Sequence, residues 1–486
     1  MPEQVLIIGS GIGGLSAGII LAQLQIPVTV VEKNPLPGGL MRSYRRSGID
    51  CPVGVHYLGA LDQGQMLRRL WDALGVTPLI PLERMGAEGI IDRYIFDDFE
   101  FNLPAGIDPF EENLRRTFPK EQRQITMIMA DLREISRSLS TFDFFLSPTM
   151  SVLSPENFES MGERLSRLGC SISLAAVLGV PAGLIGIPLQ ECPVYYYYMT
   201  LASYLLSSWR LVGSGTDMAE AFVSQLRSLG GNVVTGDGVA AIQVEAGCVK
   251  GAVLTSGRIL PADVVIAAVH PETILSLLPR DVVRPSYRER VAQLENTKGL
   301  LGVNAAVPAD SHRALPYNVY RLYNEADGSH TRGIFHQLRE SGQPGMNLLS
   351  MITTSDIEEW RPWEKTISGK RGRDYETAKE ARARPLIDEA AELFGLREMN
   401  LLDVYSPLTI RDGVNSPGGS AYGIMRTTKQ LMKAASLNRT PVKGLVFAGQ
   451  NRMASGIMGT MLGSFQAVRQ MIGHEKFIRE VAGRLI

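Results

Sequence analysis

Apolar positions near the start of the chain change their period twice. Val5-Leu6-Ile7-Ile8 is a continuous, β-branched run of strand length, Leu15 to Leu24 repeats its apolar residues at helical spacing, and Val28-Thr29-Val30-Val31 is again strand-like. The far end carries the same alternation, with a buried strand predicted at Gly444 to Gly449 and a helix from Gly456 to about Ile472. Between them, Gly213-Ser214-Gly215-Thr216-Asp217 ahead of Met218 to Leu229 predicts a turn and a capped helix. Strands follow at Val233-Val234, Val239 to Val244, Val249 to Thr255 and Val264 to Val269. Two uncharged runs, Leu168 to Gln190 and Cys192 to Trp209, are together long enough to cross a bilayer by count, but Gly179, Pro181, Gly183, Gly186 and Pro188 interrupt the first. Tyr195 to Tyr198 and Tyr204 crowd the second. No transmembrane helix is expected there. A buried core segment and a greasy tunnel or membrane-dipping entrance both remain open, and either suits an apolar ligand.

The turn between the first strand and helix reads Gly9-Ser10-Gly11-Ile12-Gly13-Gly14, and the second strand ends in the acid Glu32. A bare G-x-G-x-x-G is weak evidence, but strand, turn, helix, second strand and terminal acid all stand at dinucleotide-binding spacing. Gly9 permits the tight turn, Gly11 lets backbone approach a diphosphate, and Gly14 lets the helix pack on the strand. The helix start supplies free N–H groups to phosphate oxygens. Glu32 is placed to accept from ribose hydroxyls and disfavours a 2′-phosphate, so FAD or NAD fits better than NADP. A second match, Gly236-Asp237-Gly238-Val239-Ala240-Ala241, leads into a strand instead of a helix and is rejected.

Past Glu32 come Lys33-Asn34-Pro35-Leu36-Pro37-Gly38-Gly39-Leu40-Met41-Arg42-Ser43 and then Gly54-Val55-His56-Tyr57-Leu58-Gly59; near the end stand Ala448-Gly449-Gln450-Asn451 and Gly456-Ile457-Met458-Gly459. These segments resemble the amine oxidase and phytoene desaturase superfamily, and within it the carotenoid isomerase and retinol saturase branch. The resemblance implies FAD. It implies that Lys33, Gly38, Gly39, Leu40, Met41 and Arg42 lie along the phosphates and ribitol, with Arg42 as the charge, and that Val55 and His56 lie beside the flavin. Val239 is expected at the adenine, and Gly449, Gln450, Asn451, Gly456, Ile457 and Met458 at the pyrimidine edge. Ser406 to Asp412 and Gly418-Gly419-Ser420-Ala421-Tyr422-Gly423 resemble segments preceding the last motif, so that Tyr422 either lies near the flavin or packs a glycine-bounded turn. Asn451 replaces the usual aspartate, Ser455 the common proline, Leu40 a frequent arginine and Pro52 an aspartate. These departures bear on ring orientation and redox potential more than on binding.

The fold expected is α/β: a discontinuous Rossmann-type FAD-binding domain from 1–75, 210–290 and 440–486, with an α+β substrate domain from 76–209 and 291–439 that includes the apolar segment 168–209. At 486 residues the chain holds about two or three domains' worth of core. Lys plus Arg (49) nearly balances Asp plus Glu (50), which removes any field for steering nucleic acid. The basic stretch Lys365 to Arg384 is interleaved with glutamates and reads as a solvated helix surface. Four cysteines, Cys51, Cys170, Cys192 and Cys248, make no C-x-x-C pair or metal spacing, and the opening residues lack a secretory pattern. The expectation is a cytoplasmic protein, with peripheral membrane contact left open, and no metal. No nucleophile elbow, zincin pair or Cys/His constellation occurs.

Flavin N5 takes or gives hydride, so such a protein chiefly holds a C–C or C=C unit against the ring and excludes water. The expectation is therefore an FAD-dependent oxidoreductase of an apolar polyene or isoprenoid lipid, acting as desaturase, saturase or cis–trans isomerase. His56 and Tyr422 are its candidate catalytic residues, and the redox partner is a quinone, NAD(P)H or another carrier. Two alternatives stand beside it: a flavin amine oxidase, and a non-enzymatic isoprenoid or prenyl-protein escort of the same fold.

Overall fold

In the computed structural model, residues 2–147, 158–323 and 332–485 are described; the stretches 148–157 and 324–331 of the expected substrate domain lie outside them. Five short parallel strands form the first sheet, in the spatial order Asn232–Val234, Val28–Val31, Val5–Ile8, Val264–Ala267, Leu445–Phe447. Val5–Ile8 is buried along its whole length. That explains its uninterrupted apolar run, because a central parallel strand is covered on both faces. The chain leaves it toward Val28–Val31 on one side and meets Val264–Ala267 on the other. Its carboxyl end is thus the point where strand order reverses, and ligands of open α/β sheets bind outside that point.

A three-stranded antiparallel meander, Val239–Glu245, Cys248–Leu254 and Ile259–Pro261, covers part of this unit. The rejected glycine motif at 236–241 runs into the first of these strands, as its pattern indicated. Ser214 caps the Gly215–Ser228 helix: its hydroxyl accepts from Asp217 N–H at 3.2 Å while the Asp217 carboxylate accepts from Ser214 N–H at 2.8 Å.

The second large sheet has seven strands, in the order Asn400–Tyr405, Gly299–Pro308, Met346–Ser355, Arg332–Glu340, Asn318–Tyr323, Ile90–Ile95, Glu100–Pro104. The Arg373–Phe394 helix covers one face and packs with Val319, Ile334, Leu338 and Met351. The opposite face is presented to the parallel-sheet unit. The basic stretch before this helix is not all solvated surface: Arg371 is buried, ion-paired with Asp412, with its guanidinium 5.3 Å from the centre of the Tyr375 ring.

The two uncharged runs become the helices Ile172–Gly183 and Val194–Leu206, of 12 and 13 residues. A bilayer needs about 20, and among the described residues no helix is long and apolar enough to cross a membrane. The turn between them passes Gly186 at φ +66°, pressed so closely on Tyr422 that a Cβ there would stand 2.5 Å from the ring.

Candidate functional site

Gly9 follows the first strand at φ +97°, a conformation that favours glycine. Gly14 is forced by packing, since a Cβ there would stand 1.9 Å from the Gly9 carbonyl oxygen. Gly11 differs: among the described residues nothing lies within 4 Å of where its Cβ would be. That open space sits where the Ile12–Gln23 helix begins with no side-chain cap, leaving its first N–H groups available. The Gly456–Ile472 helix also starts without a side-chain cap. The two helices lean on each other through small residues. A Cβ on Gly13 would approach Gly449 Cα to 2.9 Å, and the Ser464 hydroxyl donates to the Gly13 carbonyl at 2.7 Å. Chain ends more than 400 residues apart therefore build one wall.

That wall encloses a cavity of about 630 Å³, within the usual range for a bound small molecule. Gly9, Gly11, Ile12, Gly13, Glu32, Lys33, Gly38, Gly39, Leu40, Met41, Val55, His56 and Val239 line it, together with Tyr422, Gly449, Gln450, Asn451, Gly456 and Ile457. Four residues of the predicted set stand apart. Ser10 is buried beneath the turn, and Gly14 is in the helix–strand contact. Arg42 turns its guanidinium to the carbonyls of Leu36 and Gly413, at 3.5 and 3.3 Å. Met458 faces a neighbouring cavity.

Glu32 is buried and richly solvated by protein: Ser10 N–H and Oγ donate to one oxygen at 3.0 and 2.7 Å, and Asn34 N–H and Nδ2 to the other at 2.9 and 2.8 Å. The carboxyl end of the Pro407–Val414 helix, with Asn415 as its cap, closes over this corner. Lys33 Nζ donates to the Asp412 carbonyl at 2.8 Å and to Asn415 Oδ1 at 2.6 Å, and burial lowers its pKa.

A second cavity of about 510 Å³ adjoins the first. The two share Gly54 to Tyr57, Leu184, Tyr422, Gly456 and Ile457. Its wall includes one face of the Val194–Leu206 helix: Tyr195, Tyr196, Met199, Thr200, Ser203 and Tyr204 line it, at helical spacing. Tyr197, Tyr198, Leu201 and Leu205 point the other way into the core. The tyrosine-rich run is thus core and cavity wall at once, divided by helical phase.

His56 and Tyr422 stand on the partition between the cavities. Among the described residues neither ring nitrogen of His56 has a hydrogen-bond partner, and burial, aided by the Arg339 charge, pushes its pKa down to about 4. Its ring meets Phe335 edge-on at 5.3 Å. Tyr422 is held by its backbone N–H donating to Thr297 Oγ1 at 3.0 Å, and burial pushes the phenol up to about 12. Pattern reading missed several cavity residues. Tyr320 and Leu322, Gly333 and Phe335, and Ile352 and Thr354 are alternate residues of three neighbouring strands, which roof the first cavity from the large sheet. His270 also lines it. Its Nδ1 accepts from Glu272 N–H at 3.3 Å, which leaves Nε2 to donate to Asn296 Oδ1 at 2.9 Å, and burial lowers its pKa to about 4.

Comparison with known proteins agrees with this geometry. Residues 7–74 match the NAD(P)-binding Rossmann-like domain family. The chain is 24% identical to all-trans-retinol 13,14-reductase of Macaca fascicularis, over 96% of this chain and 85% of that one. It is 26% identical to all-trans-zeta-carotene desaturase of Myxococcus xanthus, over 92% and 89%. A solved oxidoreductase from Methanosarcina mazei shares the fold, with a TM-score of 0.68 at 15% identity over 96% of this chain and all of that one. Glycine turn, paired helix starts and sustained likeness along the chain lead to one conclusion: this protein carries a Rossmann-type dinucleotide-binding domain and is similar, over nearly its whole length, to retinol reductase and carotene desaturase oxidoreductases.

Proposed function

We propose that the protein binds FAD in the larger cavity and an apolar polyene or isoprenoid lipid in the smaller one, and exchanges hydride between flavin N5 and a C–C or C=C unit at the partition. The observation that carries this reading is the shared wall: a cavity built on an open glycine turn and two uncapped helix starts abuts one lined by Tyr195, Tyr196, Met199, Leu184 and Ile185. The residues fit the cofactor. The space over Gly11 would accept a diphosphate, Glu32 would hold the ribose, and Gly449 to Asn451 with the Gly456 helix start would hold the ring, where the helix dipole favours negative charge.

Bound flavin supplies the hydride chemistry. The chain's own contribution is to hold and to dry. Leu184, Met199 and Leu462 offer no hydrogen bonds and bind by exclusion of water. His56 is neutral at physiological pH, so it walls the partition without placing a charge beside a hydrocarbon. The assignment of the parallel-sheet unit to FAD and of the seven-stranded sheet with 168–209 to substrate belongs to the same proposal. So does a peripheral stance on a membrane, supported by Ile172, 66% exposed at the start of a helix whose Gly179, Val180 and Gly183 line the cofactor cavity.

The test is purification and anaerobic turnover. A yellow protein with flavin absorbance, reduced chemically and then reoxidised on adding all-trans-retinol or an acyclic carotene under argon, with altered polyene recovered by extraction, is the expected result. A colourless protein that cannot be reconstituted with FAD, or a flavoprotein reoxidised by no polyene and reduced by no carotene, refutes it.

A further inference from the structure

A hydride adds to or leaves only one carbon of a double bond, so the neighbouring carbon must gain or lose a proton. His56 is poorly suited to that task, because burial and the Arg339 charge hold it unprotonated. The roof of the larger cavity offers another group. Asp92, 1% exposed on the Ile90–Ile95 strand, lies opposite Asn318 in the parallel pairing. Asn318 Nδ2 donates to one carboxyl oxygen at 2.8 Å, and the Tyr57 hydroxyl lies 3.3 Å from the other. The Tyr57 hydroxyl is in turn 2.9 Å from that of Tyr320. Both tyrosines line the larger cavity, and Tyr57 the smaller one as well.

We propose that Asp92, acting through the paired hydroxyls of Tyr57 and Tyr320, is the proton donor and acceptor for the carbon–carbon unit. This rests on the function proposed above.

Three features of the site support it. First, among the described residues no ion pair forms with the carboxyl: Arg210, whose charge acts on it, spends its guanidinium on the Leu315 carbonyl at 2.5 Å and Asn318 Oδ1 at 2.8 Å. A buried carboxylate without a direct counter-ion is costly, so Asp92 keeps its proton to unusually high pH. Burial raises it to about 7, against the lowering effects of Asn318, Tyr57 and the Arg210 charge. The groups facing it, Tyr57, Tyr94, Tyr204, Tyr320 and Arg210, leave it poised to be either acid or base near neutrality. Second, the two hydroxyls connect it to the cavity wall. Third, the rings are fixed: Tyr57 lies 4.6 Å from Tyr204, and Phe335 lies 5.1 Å from Tyr320. Gln337 ties the same network to the partition, its Nε2 donating to the His56 carbonyl and to Asn318 Oδ1, both at 3.0 Å.

In the reducing direction, where bound reduced flavin would supply hydride to one alkene carbon, a tyrosine hydroxyl would give its proton to the neighbouring carbon. The phenolate then takes the carboxyl proton of Asp92, and the carboxylate regains one from solvent between turnovers. Oxidation would run the same steps backward: with bound oxidised flavin as the hydride acceptor, the adjacent C–H proton would pass through tyrosine to the Asp92 carboxylate.

Two measurements decide it. In flavin-free protein, an infrared difference spectrum between about pH 5 and about pH 9 should show, beside the Glu389 carboxyl, a buried carboxylic acid component that is lost in Asp92→Asn and shifts in Tyr57→Phe. In the flavin-loaded protein, Asp92→Asn and Tyr57→Phe should each slow reoxidation by all-trans-retinol on the order of 100-fold and change its solvent deuterium isotope effect. FAD affinity and retinol binding, read by flavin fluorescence, should change little. A purely structural role would lower the melting temperature and leave the isotope effect alone. Tyr320→Phe, which keeps both Asp92 hydrogen bonds, covers the case in which Asp92→Asn folds poorly. A titrating spectrum unchanged by Asp92→Asn, or variants that reoxidise at the parental rate, overturns the relay. If the parent binds FAD but no polyene reoxidises it, the proposed function fails instead, and the infrared band alone decides whether Asp92 holds the proton.

Discussion

Replacing Gly11 by valine should abolish FAD binding while leaving the empty protein almost as stable as before. The backbone there, φ −61° and ψ 171°, is one that valine adopts freely, and the added carbons enter space with no atom within 4 Å of the Cβ position. The expected loss in the empty protein is only that of a branched residue at a helix N-cap, about 0.5–1 kcal/mol. The same carbons fill the place given to the diphosphate. FAD at about 100 times its Kd stabilises a folded protein by about 2.7 kcal/mol. A domain of 150–250 residues moves about 2–4 °C per kcal/mol and a chain twice as long roughly half as much, so the parent should gain about 3–5 °C with FAD and the variant nothing. Thermal melts with and without FAD, paired with a flavin fluorescence titration, give both numbers. A Gly11→Val protein with the parental FAD shift would show that the diphosphate does not cross this glycine. One that loses more than about 3 kcal/mol without ligand would show that the space is not free.

Gly14→Ala should do the reverse, since its Cβ would stand 1.9 Å from the Gly9 carbonyl: the empty protein should lose about 1–3 kcal/mol or fail to accumulate, as a denaturant midpoint will show. Met199→Trp, which fills the smaller cavity alone, should weaken polyene binding at least 10-fold and leave the FAD titration unchanged; equal losses of both would contradict the division of labour between the cavities. His56, His270 and His336 are all held near pH 4 by burial, below their unfolded values, so they remain neutral in the fold while the unfolded chain takes up protons. Stability should therefore fall as pH drops from about 6.5 toward about 4, and His336→Asn should flatten that slope. The raised carboxyls of Asp92 and Glu389 act oppositely, losing stability as pH rises from about 4 to about 7, and Asp92→Asn should remove its share, as urea titrations at stepped pH will reveal.

The contrast between what pattern reading reached and what it missed follows from where each residue's constraint originates. Gly9, Gly11 and Gly14 are dictated by backbone needs satisfied within a few residues, so their spacing alone announces them. The Gly456–Ile472 helix is a long-range partner of that turn, and without the resemblance its glycines would read as ordinary packing. What makes them a cavity wall is the contact of Ser464 with Gly13, 451 positions away. The strand carrying Tyr320 shows two faces by alternation, but only the Arg373–Phe394 helix, by covering the face with Val319, decides that the other one roofs the cavity. The resemblance implies Arg42 at the phosphates, and the carbonyls of Leu36 and Gly413 draw it elsewhere. Asp92 is the sharpest case. In Ile90-Ile91-Asp92-Arg93-Tyr94 a charged residue reads as the solvent side of an edge strand, and nothing nearby contradicts that. Its burial depends on Asn318 and Tyr57, brought from 226 residues after it and 35 before, each offering a donor where water would otherwise stand. A group whose chemistry is created by partners from two other parts of the chain leaves no local pattern, and for that reason an interior carboxyl beside a nonpolar cavity is worth seeking in coordinates wherever a flavin fold lacks an obvious acid in its motifs.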